Sequence, residues 1–199
     1  MESFAIIGSG LAGLTLANLL NKKNKVLVFD KSRGVGGRLA TRRNGEYFFD
    51  HGAQFFTAKK NEFIDFIRPL IDKEVIQRWD ARFAEFEGDK IVNSYRWSEE
   101  YPHYVGSPNM NSIAKFLSKN INIMKETKIV KIEKSKCNSF WNLIDQSGNE
   151  RSFEWVIINV PPIQALDLLP NNFQYISEVK NKKMLGCYSL MLGFEKKID

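Results

Sequence analysis

A chain of 199 residues, 43% hydrophobic and 26% charged, falls in the ordinary globular range, which excludes disordered and fibrous classes. It is long enough to bury roughly 70% of its unfolded surface, as one large domain or two smaller ones. The net charge of +6 suits an anionic partner such as a nucleotide; no nucleic-acid recognition motif accompanies it, and Lys22, Lys23, Lys25, Lys182 and Lys183 read as solvated faces.

Ser3–Ile7 is a short apolar run, Gly8–Gly13 a turn, and Leu11–Leu20 places Leu11, Leu14, Leu16, Leu19 and Leu20 at helical spacing. Val26–Phe29 reads as a second buried strand. Strand, helix and strand within about thirty residues make a βαβ unit with a right-handed crossover and a parallel sheet. Gly34–Gly37 is flexible and Arg38–Arg43 basic, ahead of the aromatic and small residues of Tyr47–Thr57. Glu62–Ile71 predicts a helix with Phe63, Phe66, Ile67 and Leu70 on its apolar face. Arg78–Trp97 alternates aromatic and polar residues around Gly88 and Asp89, the pattern of a β-hairpin. Its aromatics, Trp79, Phe83, Phe86, Tyr95 and Trp97, are expected to serve as core rather than as a substrate cage.

Met110–Leu117 predicts a helix capped by Asn111 or Ser112. Ile129–Glu133 and Phe140–Ile144 predict strands, Gln146–Asn149 a turn, and Trp155–Val160 a strand stopped by Pro161 and Pro162. Ile163–Leu169 predicts one or two helical turns and Tyr188–Phe194 a strand. Cys137 and Cys187 are too few for a disulfide framework and lack metal-ligand spacing with His51 and His103, so a cytoplasmic protein without a metal site is expected. Phe4–Leu20 lacks the basic lead of a signal peptide and glycines interrupt it; no other run could span a bilayer, and no membrane partner is expected.

Gly8-Ser9-Gly10-Leu11-Ala12-Gly13 fits G-x-G-x-x-G. The first glycine allows the tight turn, the second lets a pyrophosphate approach the backbone, and the third permits close helix packing. The pyrophosphate would meet the N-terminus of the following helix, where free amide donors favour negative charge. Asp30 follows at the end of the second strand, where a carboxylate can accept hydrogen bonds from ribose hydroxyls. This fingerprint does not separate NAD from FAD.

The run Asp30-Lys31-Ser32-Arg33-Gly34-Val35-Gly36-Gly37-Arg38 resembles the second glycine motif of FAD-dependent amine oxidases. Two glycines let the backbone pass close to a cofactor while Arg38 reaches a phosphate. Both Gly34 and Val35 intervene between Arg33 and the Gly-Gly pair, a spacing similar to the renalase-like branch. Asp50-His51-Gly52-Ala53-Gln54-Phe55-Phe56-Thr57, Tyr104-Val105-Gly106-Ser107-Pro108-Asn109-Met110 and Trp155–Pro162 also resemble segments of that branch, so the resemblance covers nearly the whole chain, with a weak stretch from about 58 to 100.

The resemblance implies an α/β fold: a Rossmann-type FAD-binding domain from 1–57 and 104–165, with a β-rich, partial substrate domain from 58–103 and 166–199. It implies FAD as cofactor, touching Gly8, Gly10, Leu11, Ala12, Gly13, Asp30, Lys31, Arg33, Gly36, Gly37, Arg38, Ala53, Gln54 and Phe55, with backbone contacts to adenine from the strand at Ile129 and Val130. No catalytic residue is assigned, and His51 reads as structural. Members of the branch continue into further substrate-domain strands, so the chain is expected to be the truncated N-terminal part of that architecture, ending at Asp199. Hydride transfer from a reduced small molecule, such as a dihydronicotinamide dinucleotide, to flavin with oxygen as acceptor is the implied activity. An amine substrate, or a non-catalytic nucleotide-binding module, are the alternatives; Gly36, Gly37 and Arg38 argue against an NAD-dependent dehydrogenase.

Overall fold

The computed structural model describes residues 1–100 and 102–196. In chain order the elements are β1 (Ser3–Ile7), α1 (Leu11–Leu20), β2 (Lys25–Phe29), β3 (Thr41–Asn44), β4 (Tyr47–Asp50), β5 (Phe56–Thr57) and α2 (Asn61–Asp72). They continue with β6 (Ile76–Arg78), β7 (Arg82–Glu87), β8 (Lys90–Arg96), β9 (His103–Gly106), α3 (Asn111–Ser118) and β10 (Ile123–Met124). The remainder are β11 (Ile129–Lys134), β12 (Trp141–Asp145), β13 (Glu150–Phe153), β14 (Trp155–Ile158), α4 (Pro162–Leu166) and α5 (Ile176–Lys180). Two compact units result. One comprises Met1–Arg38 with Ala114–Leu190; the other comprises Leu39–Ile113 with the described part of Met191–Asp199.

In the first unit, β10, β2, β1 and β14 form a parallel sheet in that order. Successive residues of β1 face opposite sides, and the two sides bury different partners. Ala5 and Ile7 pack with Phe29, Ile129, Ile132, Leu143, Phe153 and Leu168, joining the sheet to the antiparallel sheet β11-β12-β13. Ile6 packs with Ala17, Val26 and Val28, joining it to α1. The result is the mixed α/β, Rossmann-like architecture expected: a parallel sheet between a helix and a three-stranded antiparallel layer. Phe29 and Phe153 meet edge-on, 5.8 Å between ring centres.

The second unit holds the hairpin β3-β4, the sheet β5-β9-β6, helix α2 and the hairpin β7-β8. The segment 39–57 packs here because Asp50 holds the start of α3: its Oδ2 accepts Met110 N–H at 3.0 Å and its Oδ1 accepts Thr41 Oγ1–H at 2.6 Å. Thr41 Oγ1 in turn accepts Asn111 N–H at 3.3 Å. These two side chains supply partners for the backbone donors at the start of α3, in place of Asn111 or Ser112, the caps expected from the sequence.

Three expectations are corrected. Tyr188–Phe194 forms no strand with any described residue; Tyr188 is 101% and Leu190 83% exposed, so its β-propensity meets no partner edge. The strand before the proline pair ends at Ile158, although Asn159 N–H still donates to Ile7 C=O at 2.8 Å. Phe86, Tyr95 and Trp79, read as core, are 63%, 43% and 40% exposed; β7 and β8 form a sheet of two strands, which gives these side chains little to bury against.

Candidate functional site

Gly8 follows β1 at the sheet's C-terminal edge, beside the end of β14, where the strand order passes from β1 to β14. Ligands of open parallel sheets bind at such a switch point. Gly8 has φ +108, a conformation closed to most side chains, and its N–H donates to Phe29 C=O at 2.8 Å. A Cβ on Gly13 would stand 2.2 Å from Gly8 C=O oxygen and 2.6 Å from Asn159 Nδ2. Gly8 and Gly13 are therefore required by the protein's own packing.

Gly10 differs. It precedes α1 with φ −71 and ψ 176, which any residue can adopt, and a Cβ there would meet nothing nearer than Asn159 Nδ2 at 4.0 Å. Leu14 N–H donates to Gly10 C=O at 3.0 Å, leaving the amides of Leu11, Ala12 and Gly13 as the unpaired donors of a helix N-terminus. The space over Gly10 fits an approaching pyrophosphate, so the donor set and clearance of the loop suit a dinucleotide.

The second glycine segment lies against the first. Gly36 forms a parallel bridge with Gly10, and its N–H donates to Ser9 C=O at 2.9 Å. Gly37, at φ +54, would press a Cβ to 3.3 Å from Gly10 Cα. The two motifs, distant in the reading along the chain, share one surface. Arg38 follows on the short 3-10 turn Gly37–Leu39, and Lys31, Arg33 and Arg38 are exposed and form no ion pair among the described residues. Lys31 Nζ donates to Gln164 Oε1 at 3.2 Å.

Asp30 is fixed from three directions. Its Oδ2 accepts Ser9 N–H at 2.8 Å and the Ser9 hydroxyl, while Oδ1 accepts Ser32 N–H at 2.8 Å. Ser9 is fully buried. Three donors on a carboxylate with about four lone-pair sites leave Oδ1 room for a ligand hydroxyl. The backbone beyond joins the same wall: Thr127 N–H donates to Asp30 C=O at 2.9 Å and Glu126 N–H to Ser32 C=O at 3.1 Å. That segment leads into β11, where the register shifts between Ile129 and Lys131. Ile129 is buried in the core, whereas Val130 has no cross-strand partner and is 44% exposed.

Thus Gly8, Gly10, Leu11, Ala12, Gly13, Asp30, Lys31, Arg33, Gly36, Gly37, Arg38, Ile129 and Val130 all belong to the first unit. Ala53, Gln54 and Phe55 belong to the second. There Phe55 joins an aromatic cluster, 4.9 Å from Trp97 and 5.8 Å from Trp79 between ring centres, and Trp97 stacks on His103 at 3.4 Å. His51 is half-buried, its Nδ1 3.5 Å from Phe49 C=O. Among the described residues no group of histidines, cysteines or carboxylates could hold a metal ion. No helix of these residues is long and apolar enough to cross a membrane.

Ser9 and Asn159 were missed in the sequence. Asn159 is the polar residue closing the apolar run Trp155–Ile158, and its Nδ2 lies 3.5 Å from Gly8 C=O oxygen. Two carboxylates outside the glycine loops carry depressed pKa values: Glu178, whose carboxylate accepts the Ser177 hydroxyl, and Asp145. Asp145, ending β12, is held below the usual carboxylate range chiefly by the Asn149 side-chain amide, with the Asn149 and Ser147 N–H groups assisting.

Comparison with known proteins agrees with this geometry. Residues 6–70 match the NAD(P)-binding Rossmann-like domain family. A 1-hydroxycarotenoid 3,4-desaturase from Flavobacterium sp. (strain P99-3) is 47% identical over 58 residues, 29% of this chain and 12% of the desaturase. Mouse renalase is 22% identical over 210 aligned residues, taking in 98% of this chain and 59% of renalase, so the resemblance read from the sequence extends along the chain. The crystal structure described as a protoporphyrinogen oxidase from Exiguobacterium sp. 255-15 shares the fold: TM-score 0.68, 12% identity, covering 90% of this chain and 63% of that one. The chain therefore spans less than two thirds of each of these proteins.

Proposed function

We propose that the protein is a renalase-like, FAD-dependent oxidoreductase and that this chain holds the ADP portion of its cofactor. The observation that supports it is the contact of two glycine segments, Gly36 on Gly10, beside a carboxylate fixed at the end of β2. A single dinucleotide fingerprint is met by NAD and FAD alike. The second segment adds close backbone approach and Arg38, an invariantly charged fork suited to a phosphate.

When bound, FAD would supply two-electron chemistry: a reduced substrate gives up a hydride to it, and dioxygen takes the two electrons with two protons as hydrogen peroxide. The chain's own part is binding and orientation. Gly10 would clear the pyrophosphate path, the amides of Leu11, Ala12 and Gly13 would meet its charge, and Asp30 would accept a ribose hydroxyl. Ala53, Gln54 and Phe55 are assigned to the flavin side by the resemblance. A dihydronicotinamide dinucleotide is the proposed substrate class, an amine the nearer alternative; neither nucleic acid nor a membrane is a proposed partner.

A second reading is a nucleotide-binding module without turnover. It is favoured by one observation: every contact drawn together around Gly10 lies on the ADP side. Hydrogen peroxide release from the FAD-loaded protein tests both readings. Turnover of dihydronicotinamide isomers but not amines is expected; turnover of amines alone reverses the substrate assignment, and binding without any turnover favours the module.

A further inference from the structure

Gln146 sits in the turn between β12 and β13 and reaches back across the chain to the backbone leading into β11. Its Nε2 donates to Glu126 C=O at 2.7 Å, its Oε1 accepts Lys128 N–H, and its own N–H donates to Lys128 C=O at 2.9 Å. On the other side, residues 126 and 127 donate to Ser32 and Asp30. The segment 126–128 is thereby held between the ribose-side turn and Gln146. Glu126 has φ +52, a left-handed conformation unfavourable for a residue with a Cβ, and one that persists where surrounding bonds over-determine it. The turn carrying Gln146 is itself fixed: Asp145 Oδ1 accepts Ser147 N–H and Asn149 N–H at 2.8 and 3.0 Å, and Gly148 N–H donates to Asp145 C=O at 3.0 Å.

Two residues beyond this clamp stands Val130, without a partner across the ladder. A main-chain N–H and C=O presented together to a base would match the N1 acceptor and the N6 amino donor of adenine and would mismatch hypoxanthine, whose N1–H and O6 reverse both roles. We propose that Gln146 is a positioning residue for base selectivity: by fixing residues 126–128 it holds the bulged backbone at Val130 in the orientation that distinguishes adenine. The inference rests on the ADP-site reading of the preceding section. Gln146 touches no base itself; its effect passes through Glu126 and Lys128.

Calorimetric titration of the protein with ADP and with inosine diphosphate, in the parent, Gln146→Ala and Gln146→Glu forms, tests it. The parent is expected to favour ADP by about tenfold or more, the scale of one or two hydrogen bonds gained or left unmade. In Gln146→Ala the preference is expected to fall below about threefold, while Gln146→Glu, which can still accept from Lys128 N–H but cannot donate to Glu126, falls between. A merely structural role would weaken both nucleotides together and leave the ratio unchanged, and that result overturns the proposal. A parent that binds both nucleotides equally also overturns it while leaving the ADP site standing; a parent that binds neither removes the site and the proposal together.

Discussion

The glycines of the first loop should respond differently to the same small change, because only some of them are required by the fold. In Gly13→Ala the new methyl meets Gly8 C=O oxygen at 2.2 Å, a backbone atom that cannot swing aside. Alanine would gain about 1 kcal/mol of helix propensity, but overpacking of this kind costs about 1–3 kcal/mol and the shift of Gly8 disturbs its bond to Phe29, so a net loss of about 1–2 kcal/mol is expected. In Gly10→Ala the backbone angles are ordinary and the nearest atom is 4.0 Å away, so unfolding should change by less than about 1 kcal/mol. The same methyl fills the space a pyrophosphate needs, and binding of ADP or FAD should weaken by about a hundredfold or more. Urea unfolding of both variants, paired with nucleotide titration, separates the two effects. Gly10→Ala binding nucleotide as tightly as the parent would refute the assignment of Gly10 as the approach point, and a stability loss there as large as in Gly13→Ala would refute the packing argument.

Three further outcomes follow from the packing and the hydrogen bonds. Phe29→Ala, which empties the space between the parallel sheet and β11-β12-β13, should cost about 3–5 kcal/mol in urea unfolding; a loss under about 1 kcal/mol would mean that the two layers do not depend on this ring. Asp50→Ala removes the acceptor of Met110 N–H and should cost about 1 kcal/mol, read in the same assay, with Asp50→Asn intermediate. Asp145 is depressed in the folded chain, so its stabilising effect is present above the ordinary carboxylate pKa, about 4, and is lost as pH falls through the lower folded value. Hydrogen exchange of the Ser147 and Asn149 amides should therefore accelerate below about pH 4 beyond the intrinsic trend, and Asp145→Asn should show faster exchange at neutral pH; unchanged protection in both would contradict the turn assignment.

Periodicity along the chain carried the first unit far. Ser3–Ile7, Leu11–Leu20 and Val26–Phe29 have local patterns that agree with their tertiary setting, because α1 and both strands bury faces that the residue types already mark. The hairpin β7-β8 was legible through Gly88, at φ +61, in a two-residue connection. The hairpin β3-β4 was overlooked although Asn44-Gly45 is the stronger turn signal, since Arg42 and Arg43 made the strand look like a basic loop. β10 is two residues long and depends wholly on pairing with β2. Tyr188–Phe194 shows the reverse failure: strand-forming composition is no strand without an edge to join.

At the candidate site, residue type identified the groups that a ligand would touch, and distance along the chain concealed those that hold them. Gly10, Asp30 and Gly36 follow spaced motifs whose chemistry is visible in the residues. Ser9, Asn159 and Gln146 act through contacts to residues as many as 151 positions away, as between Asn159 and Gly8, and no local pattern announces such a bond. Val130 became distinctive only through a register shift, which depends on how β11 meets β12.

The most direct test of the central claim is the near-ultraviolet and visible absorbance spectrum of the purified protein after incubation with FAD and removal of free cofactor, taken for the parent and for Gly10→Ala. Flavin bands retained by the parent and absent from a folded Gly10→Ala are the predicted result; a folded parent without flavin bands, or bands retained equally by both proteins, would contradict it.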